Sequence, residues 1–187
     1  MSNIVAIAGS PSHPSRTYGL LEYANTVLQQ NGLKTDLISV RDLPAEDLIF
    51  GRYDSPALQE PKALLEAADG IIIATPIYKA AYTGTLKAFL DLLPQKTLLN
   101  KVVLPIGTGG AITHALAVDY TLKPVLSELG ARHILGSVYI IDKQIQLNAD
   151  AKIQLDEESE QKLKDALNEL TQAVNPQSAS KELAHVN

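Results

Sequence analysis

Short apolar runs alternate with longer segments of helical period along the whole chain, the pattern of parallel strands joined by crossover helices. Ile4 to Ala8 is the first run. Gly9-Ser10-Pro11 closes it, after which Leu20, Leu21, Ala24, Val27 and Leu28 recur on one helix face until Asn31-Gly32. Thr35 to Val40 reads as a second strand and Arg41 to Asp54 as a polar loop, with Ser55-Pro56 opening a helix that ends near Asp69. Gly70 to Thr75 is almost wholly apolar, as in a central strand covered on both faces, and stops at Pro76. A helix from Gly84 to Leu93, a strand from Val102 to Ile106, a Gly107-Thr108-Gly109-Gly110 loop and a long helix from Thr113 to Leu129 follow. Ile134 to Ile141 is the fifth strand, and Asp156 to Val174 the last helix, its acidic start suited to a helix N-terminus.

Five strands alternating with five helices predict a doubly wound α/β sheet with helices on both faces. At 187 residues, with 45% hydrophobic and 20% charged residues, the chain fits one globular domain. Residues 1–174 are read as that domain and 175–187 as a frayed tail. The absence of cysteine excludes thiolate metal sites and a cysteine nucleophile, and agrees with a reducing cytoplasm. A net charge of −5 argues against nucleic acid or an anionic membrane surface as partner. No apolar run approaches a membrane span, and Met1 to Ser10 has neither the basic start nor the apolar core of a signal peptide, so a soluble protein is expected.

In a doubly wound sheet ligands bind beyond the carboxyl ends of the strands, which directs attention to the loops after strands one, three and four. The first, Gly9 to Thr17, gathers Ser10, Ser12, Ser15, Arg16 and Thr17 just before a helix, where backbone N–H groups, hydroxyls and a guanidinium suit a phosphate. It is neither a P-loop nor the dinucleotide fingerprint, and a turn that merely caps the helix explains it equally. The second, Pro76 to Gly84, offers Ile77, Tyr78, Lys79 and Tyr82 to a flat apolar ligand, or simply covers the sheet end. The third, Gly107 to Gly110, presents backbone N–H groups, or is an ordinary glycine turn. His13, His114, His133 and His185 are too scattered for a metal motif, and no hydrolase spacing is present. Phosphate, flat-ring and backbone-donor elements without an acid, base or nucleophile point to a ligand that brings its own chemistry, as a flavin does. Pro124 has no N–H for the carbonyl of Tyr120, so the long helix is expected to kink or bulge there.

The segments AGSPSHPSR, GRYDSPAL, ADGIIIATPIYKAAYTGTLKAFLDLLP and KVVLPIGTGGAITHALAVDYTLKPVLSELGA resemble the NADPH-dependent FMN reductases of the flavodoxin-like fold, in particular the reductase components of alkanesulfonate monooxygenase systems, over roughly residues 4–141. The resemblance implies a five-stranded sheet of order 2-1-3-4-5 and hydride transfer from NADPH to FMN, with reduced FMN released to a separate FMNH2-dependent monooxygenase. It implies phosphate contacts from Ser10, Ser15, Arg16 and Thr17, ring contacts from Pro76, Ile77, Tyr78, Lys79, Thr108, Gly109 and Gly110, and neither a catalytic side chain nor a metal. It also implies a homodimer or homotetramer with Tyr120 in a π-helical turn at a subunit contact, against the alternative of a kinked core helix with Tyr120 buried in its own subunit. One departure is Ser12, where relatives often carry arginine after GSP, so that any phosphate contact carried by that position is weakened or shifted to Arg16. A flavin-retaining quinone or azo reductase, a flavodoxin-type electron carrier and a non-enzymatic nucleotide-binding protein are the competing readings.

Overall fold

The computed structural model describes residues 1–148 and 152–175, so the tail expected to fray lies, apart from Asn175, outside the described residues. Strand β1 (Asn3–Ala8) pairs in parallel with β2 (Lys34–Ser39) on one side and with β3 (Gly70–Pro76) on the other, and β3 pairs with β4 (Val102–Gly109). The order is therefore 2-1-3-4-5, the flavodoxin-like order, with its switch between β1 and β3. The fifth position is not one strand. It is split into β5 (His133–Ile134) and β6 (Val138–Ile141), both parallel to β4, and between them the Ser137 hydroxyl donates to Asp119.

Successive side chains of each strand enter opposite cores, as strand geometry requires. Val5, Ile7, Ile71, Ile73 and Val103 pack with residues of α2 (Ala45–Ile49), α3 (Gln59–Ala67), α4 (Gly84–Leu90) and α5 (Lys123–Glu128). Ile4, Ala6, Ala8, Ile72, Ala74, Leu104 and Ile106 pack with α1 (Arg16–Gln30) and α6 (Glu157–Val174). Caps set two of the starts: Ser15 Oγ accepts from the Tyr18 N–H at the head of α1, and the Asp156 carboxylate from the Ser159 N–H at the head of α6.

Several boundaries differ from the expected ones for identifiable reasons. The Arg41–Asp54 segment is not all loop: it contains α2, whose Leu48 and Asp47 are buried, the latter holding Arg52 and Ser55. Helix α4 stops at Leu90 rather than Leu93, and Gly107-Thr108-Gly109 is strand rather than loop, because Gly107 and Thr108 stay paired with both β3 and β6 and Gly109 with β6. A hairpin of β7 (Ile145–Leu147) and β8 (Ile153–Leu155) was not expected, since three-residue strands show no periodicity. The Thr113–Leu129 helix is broken into a 3-10 turn (Ile112–His114), a π-helical turn (Val118–Leu122) and α5. The bulge falls where Pro124 removes a donor, and the Lys123 N–H bonds to Val118 O instead. Among the described residues no helix is long and apolar enough to cross a membrane.

Candidate functional site

The aligned registers bring the ends of β1, β3 and β4 level, with Ala8 opposite Ala74 and Pro76 opposite Thr108. Beyond them lies a cleft of about 290 Å³. Of the eleven residues expected at the site, ten line it: Ser10, Ser15, Arg16 and Thr17 from the loop after β1 and the start of α1, and Pro76, Ile77, Tyr78, Thr108, Gly109 and Gly110 from the ends of β3 and β4 and the residues after them. Lys79 does not. It sits with Ala80 in the turn behind Tyr78, where both have positive φ (52° and 62°). Two backbone bonds between Tyr78 and Ala81 close this turn into a two-residue hairpin.

The hydroxyls of the first loop have their acceptor positions in use. Ser10 Oγ accepts from the Ser12 N–H and Ser15 Oγ from the Tyr18 N–H, both at 3.2 Å, so each O–H remains free to donate to an anion. Thr17 and Thr108 share a buried hydroxyl bond of 2.9 Å that ties α1 to the tip of β4. Arg16 donates through Nε to Ile145 O at 3.1 Å, which fixes the guanidinium against β7, and its terminal nitrogens have no partner among the described residues. The first turn of α1 carries no acidic residue to oppose an anion at the helix start.

The glycines of β4 have a different origin from the expected one. A Cβ at Gly107 would stand 2.5 Å from Val118 Cγ2 and 2.9 Å from Tyr139 Cδ2, and one at Gly109 would fall inside 3.0 Å of Tyr139 Oη. Tyr139, buried beneath both, donates to Ala111 O at 3.0 Å, and burial, then the Asp142 charge, push its phenol pKa above the ordinary value. The glycines thus make room for a tyrosine that braces the segment leading away from the cleft. Gly110 is open, with no atom within 4 Å of an added Cβ.

Three further residues line the cleft: Ser12, Pro14 and Asp142. Asp142 follows β6 directly, so the strand-end rule applied to the fifth strand would have found it. Among the described residues no group of His, Asp or Glu side chains could hold a metal, and His114 lies exposed in its 3-10 turn. Tyr120 is 76% exposed, which rules out its burial in its own subunit, and Ile112 and Leu116 are exposed beside it in sequence.

The profile of NADPH-dependent FMN reductases matches residues 2–146. The chain belongs to that family. It is an oxidoreductase whose cofactors are FMN and NADPH. It is 48% identical over 165 residues to a protein of Pseudomonas putida named FMN reductase (NADPH), covering 88% of this chain and 84% of that one. It is 51% identical over 144 residues to an Escherichia coli protein of the same name, covering 76% and 74%. Among solved structures the NADH:FMN oxidoreductase EMOB, in its apo form, superimposes with a TM-score of 0.81 at 42% identity, over 91% of this chain and 88% of that one.

Proposed function

We propose that the cleft at the ends of β1, β3 and β4 is where this family member binds FMN, and that the reduced flavin leaves for a separate FMNH2-dependent monooxygenase. The observation that supports this most is the polarity of the cleft. The loop after β1 and the start of α1 offer the O–H groups of Ser10 and Ser15, the α1 N-terminus and the fork of Arg16, whose terminal nitrogens have no partner among the described residues, a donor set that fits a phosphate. The ends of β3 and β4 and the residues after them offer Pro76, Ile77 and Tyr78 as an apolar wall and glycine backbone at Gly109 and Gly110, which fits a flat heterocycle with a polar edge.

When bound, FMN supplies the hydride-accepting ring. The protein's own work is positional: Arg16 and the hydroxyls anchor the phosphate, Ile77 and Tyr78 keep water from one side of the ring, and the Gly109–Gly110 backbone donors face the edge where negative charge grows. No side chain has to move a proton. Resemblance of the motifs to alkanesulfonate systems supports a role in sulfonate desulfonation and sulfur acquisition, in the cytoplasm. The exposed Ile112, Leu116 and Tyr120 support a homodimer or homotetramer with Tyr120 at a contact. The deciding experiment is NADPH consumption with and without added FMN, followed by gel filtration. We expect oxidation that depends on free FMN and flavin that elutes apart from the protein; flavin that stays with the protein during turnover would favour the flavin-retaining reductases.

A further inference from the structure

A second cavity, of about 220 Å³, shares Ser10 and Ser12 with the cleft. Its other walls are His13, Tyr18, Ser39, Arg41 and Asp42, so every lining side chain is polar. It opens where β2 ends at Ser39. Arg41 is poorly engaged: its Nε is 3.7 Å from Asp42 Oδ1, and no other partner of the guanidinium is present among the described residues. Burial, then the charges of Glu22 and Asp42, push the Tyr18 phenol pKa up.

A guanidinium fork with several hydroxyls recognises a phosphate, and a carboxylate beside them accepts from sugar hydroxyls. Both together describe a phosphorylated ribose. In doubly wound dinucleotide sites the adenosine ribose meets residues just past a strand end, where an acid takes a free 2′-hydroxyl or an arginine a 2′-phosphate; with the phosphate on Arg41, Asp42 is left to accept from the 3′-hydroxyl. We propose that this cavity receives the 2′-phosphorylated adenosine ribose of NADPH, and that Arg41 separates NADPH from NADH. This rests on the reading of the neighbouring cleft as the FMN site, with which the cavity shares Ser10 and Ser12.

The test compares wild type with Arg41→Gln, using steady-state rates with NADPH and NADH at saturating FMN and a fluorescence titration of FMN. NADPH is expected to lose at least about tenfold in kcat/KM, chiefly through KM, the effect of one lost charge-assisted contact. NADH rates and FMN affinity stay unchanged, and Arg41→Lys recovers part of the loss. Adenosine 2′,5′-bisphosphate competes with NADPH in the wild type and is weakened in Arg41→Gln. Equal losses for both nucleotides, or none, overturn the proposal. So does a variant that weakens FAD as acceptor while leaving NADPH untouched, which would assign the cavity to a flavin's adenylate. Failure of the FMN-site reading would show separately, as equal binding losses for FMN and riboflavin when Arg16 is replaced.

Discussion

Replacing Gly109 by alanine tests whether the protein or the ligand forbids a side chain at the end of β4. The added Cβ would press on one atom, Tyr139 Oη; the next nearest, Tyr139 Cζ and Ile77 Cβ, stand at 3.4 and 3.8 Å, ordinary contact. Tyr139 is only 5% exposed and cannot swing into solvent. Relieving the overlap strains the core and breaks the bond to Ala111 O, so Gly109→Ala should cost about 1–3 kcal/mol. Tyr139→Phe alone removes that bond, at about 0.5–1.5 kcal/mol. The double variant removes the one obstructing atom and should be more stable than the sum of the two losses by about 1 kcal/mol or more. Urea unfolding of the four proteins without flavin measures this coupling. Additive losses would show that Tyr139 is not what keeps position 109 bare.

Arg16→Ala should weaken FMN by about 1.5–3 kcal/mol and riboflavin far less, since only FMN carries the phosphate; loss of the bond to Ile145 O acts on both ligands, so the ratio in a fluorescence titration is the decisive quantity. Deleting Tyr120 takes one residue from the π-helical turn and lets it close with ordinary α-helical bonding, and because the side chain is exposed the fold survives. Light scattering, flavin retention and turnover should then report altered assembly, tighter flavin and slower transfer, and three unchanged readings would refute the contact. Asp119 has its carboxyl pKa lowered by hydrogen bonds from Lys123 and then Ser137. A depressed folded pKa stabilises above the unfolded value and ceases to do so as pH falls through the folded one. Asp119→Asn should therefore cost up to about 1 kcal/mol at pH 7, the pair being 40% and 28% exposed, with the difference in urea midpoint shrinking below about pH 4.

The sheet was legible because its strands are apolar and bounded by turn residues: Gly70 to Thr75, closed by Pro76, reads as a central strand covered on both faces, and all seven residues of β3 are buried. The cleft was legible because the three strand ends that form it carry turn residues and hydroxyls in short, continuous stretches of sequence. The rest was hidden for separate reasons. Asp142 and Arg41 stand past strand ends whose loops show no glycine or serine cluster. The β7 and β8 strands are too short for any period, and what they do, holding Arg16 through a backbone carbonyl, has no side-chain signature. Gly109 pairs with Ile141 and gives way to Tyr139, contacts about thirty residues apart in the chain that local pattern does not reveal. Pro124 was the exception, a single residue whose missing N–H announced a kink or bulge, while the π-helical form of it came from the family resemblance.

The hairpin turn at Lys79-Ala80 bears on the thermodynamics of whatever enters the cleft. Left-handed backbone costs about 1–2 kcal/mol at each residue other than glycine, and here two such residues stand in succession, held by the paired bonds of Tyr78 and Ala81. That cost falls on folding. The wall presented by Ile77 and Tyr78 is thus already set when a ring arrives, so little further order has to be imposed on this side and the heat of association is not consumed in shaping it. Replacing Ala80 by glycine would relax the turn without removing a lining side chain, shifting its ordering from the folding reaction to the binding reaction and making capture of the ring entropically less favourable.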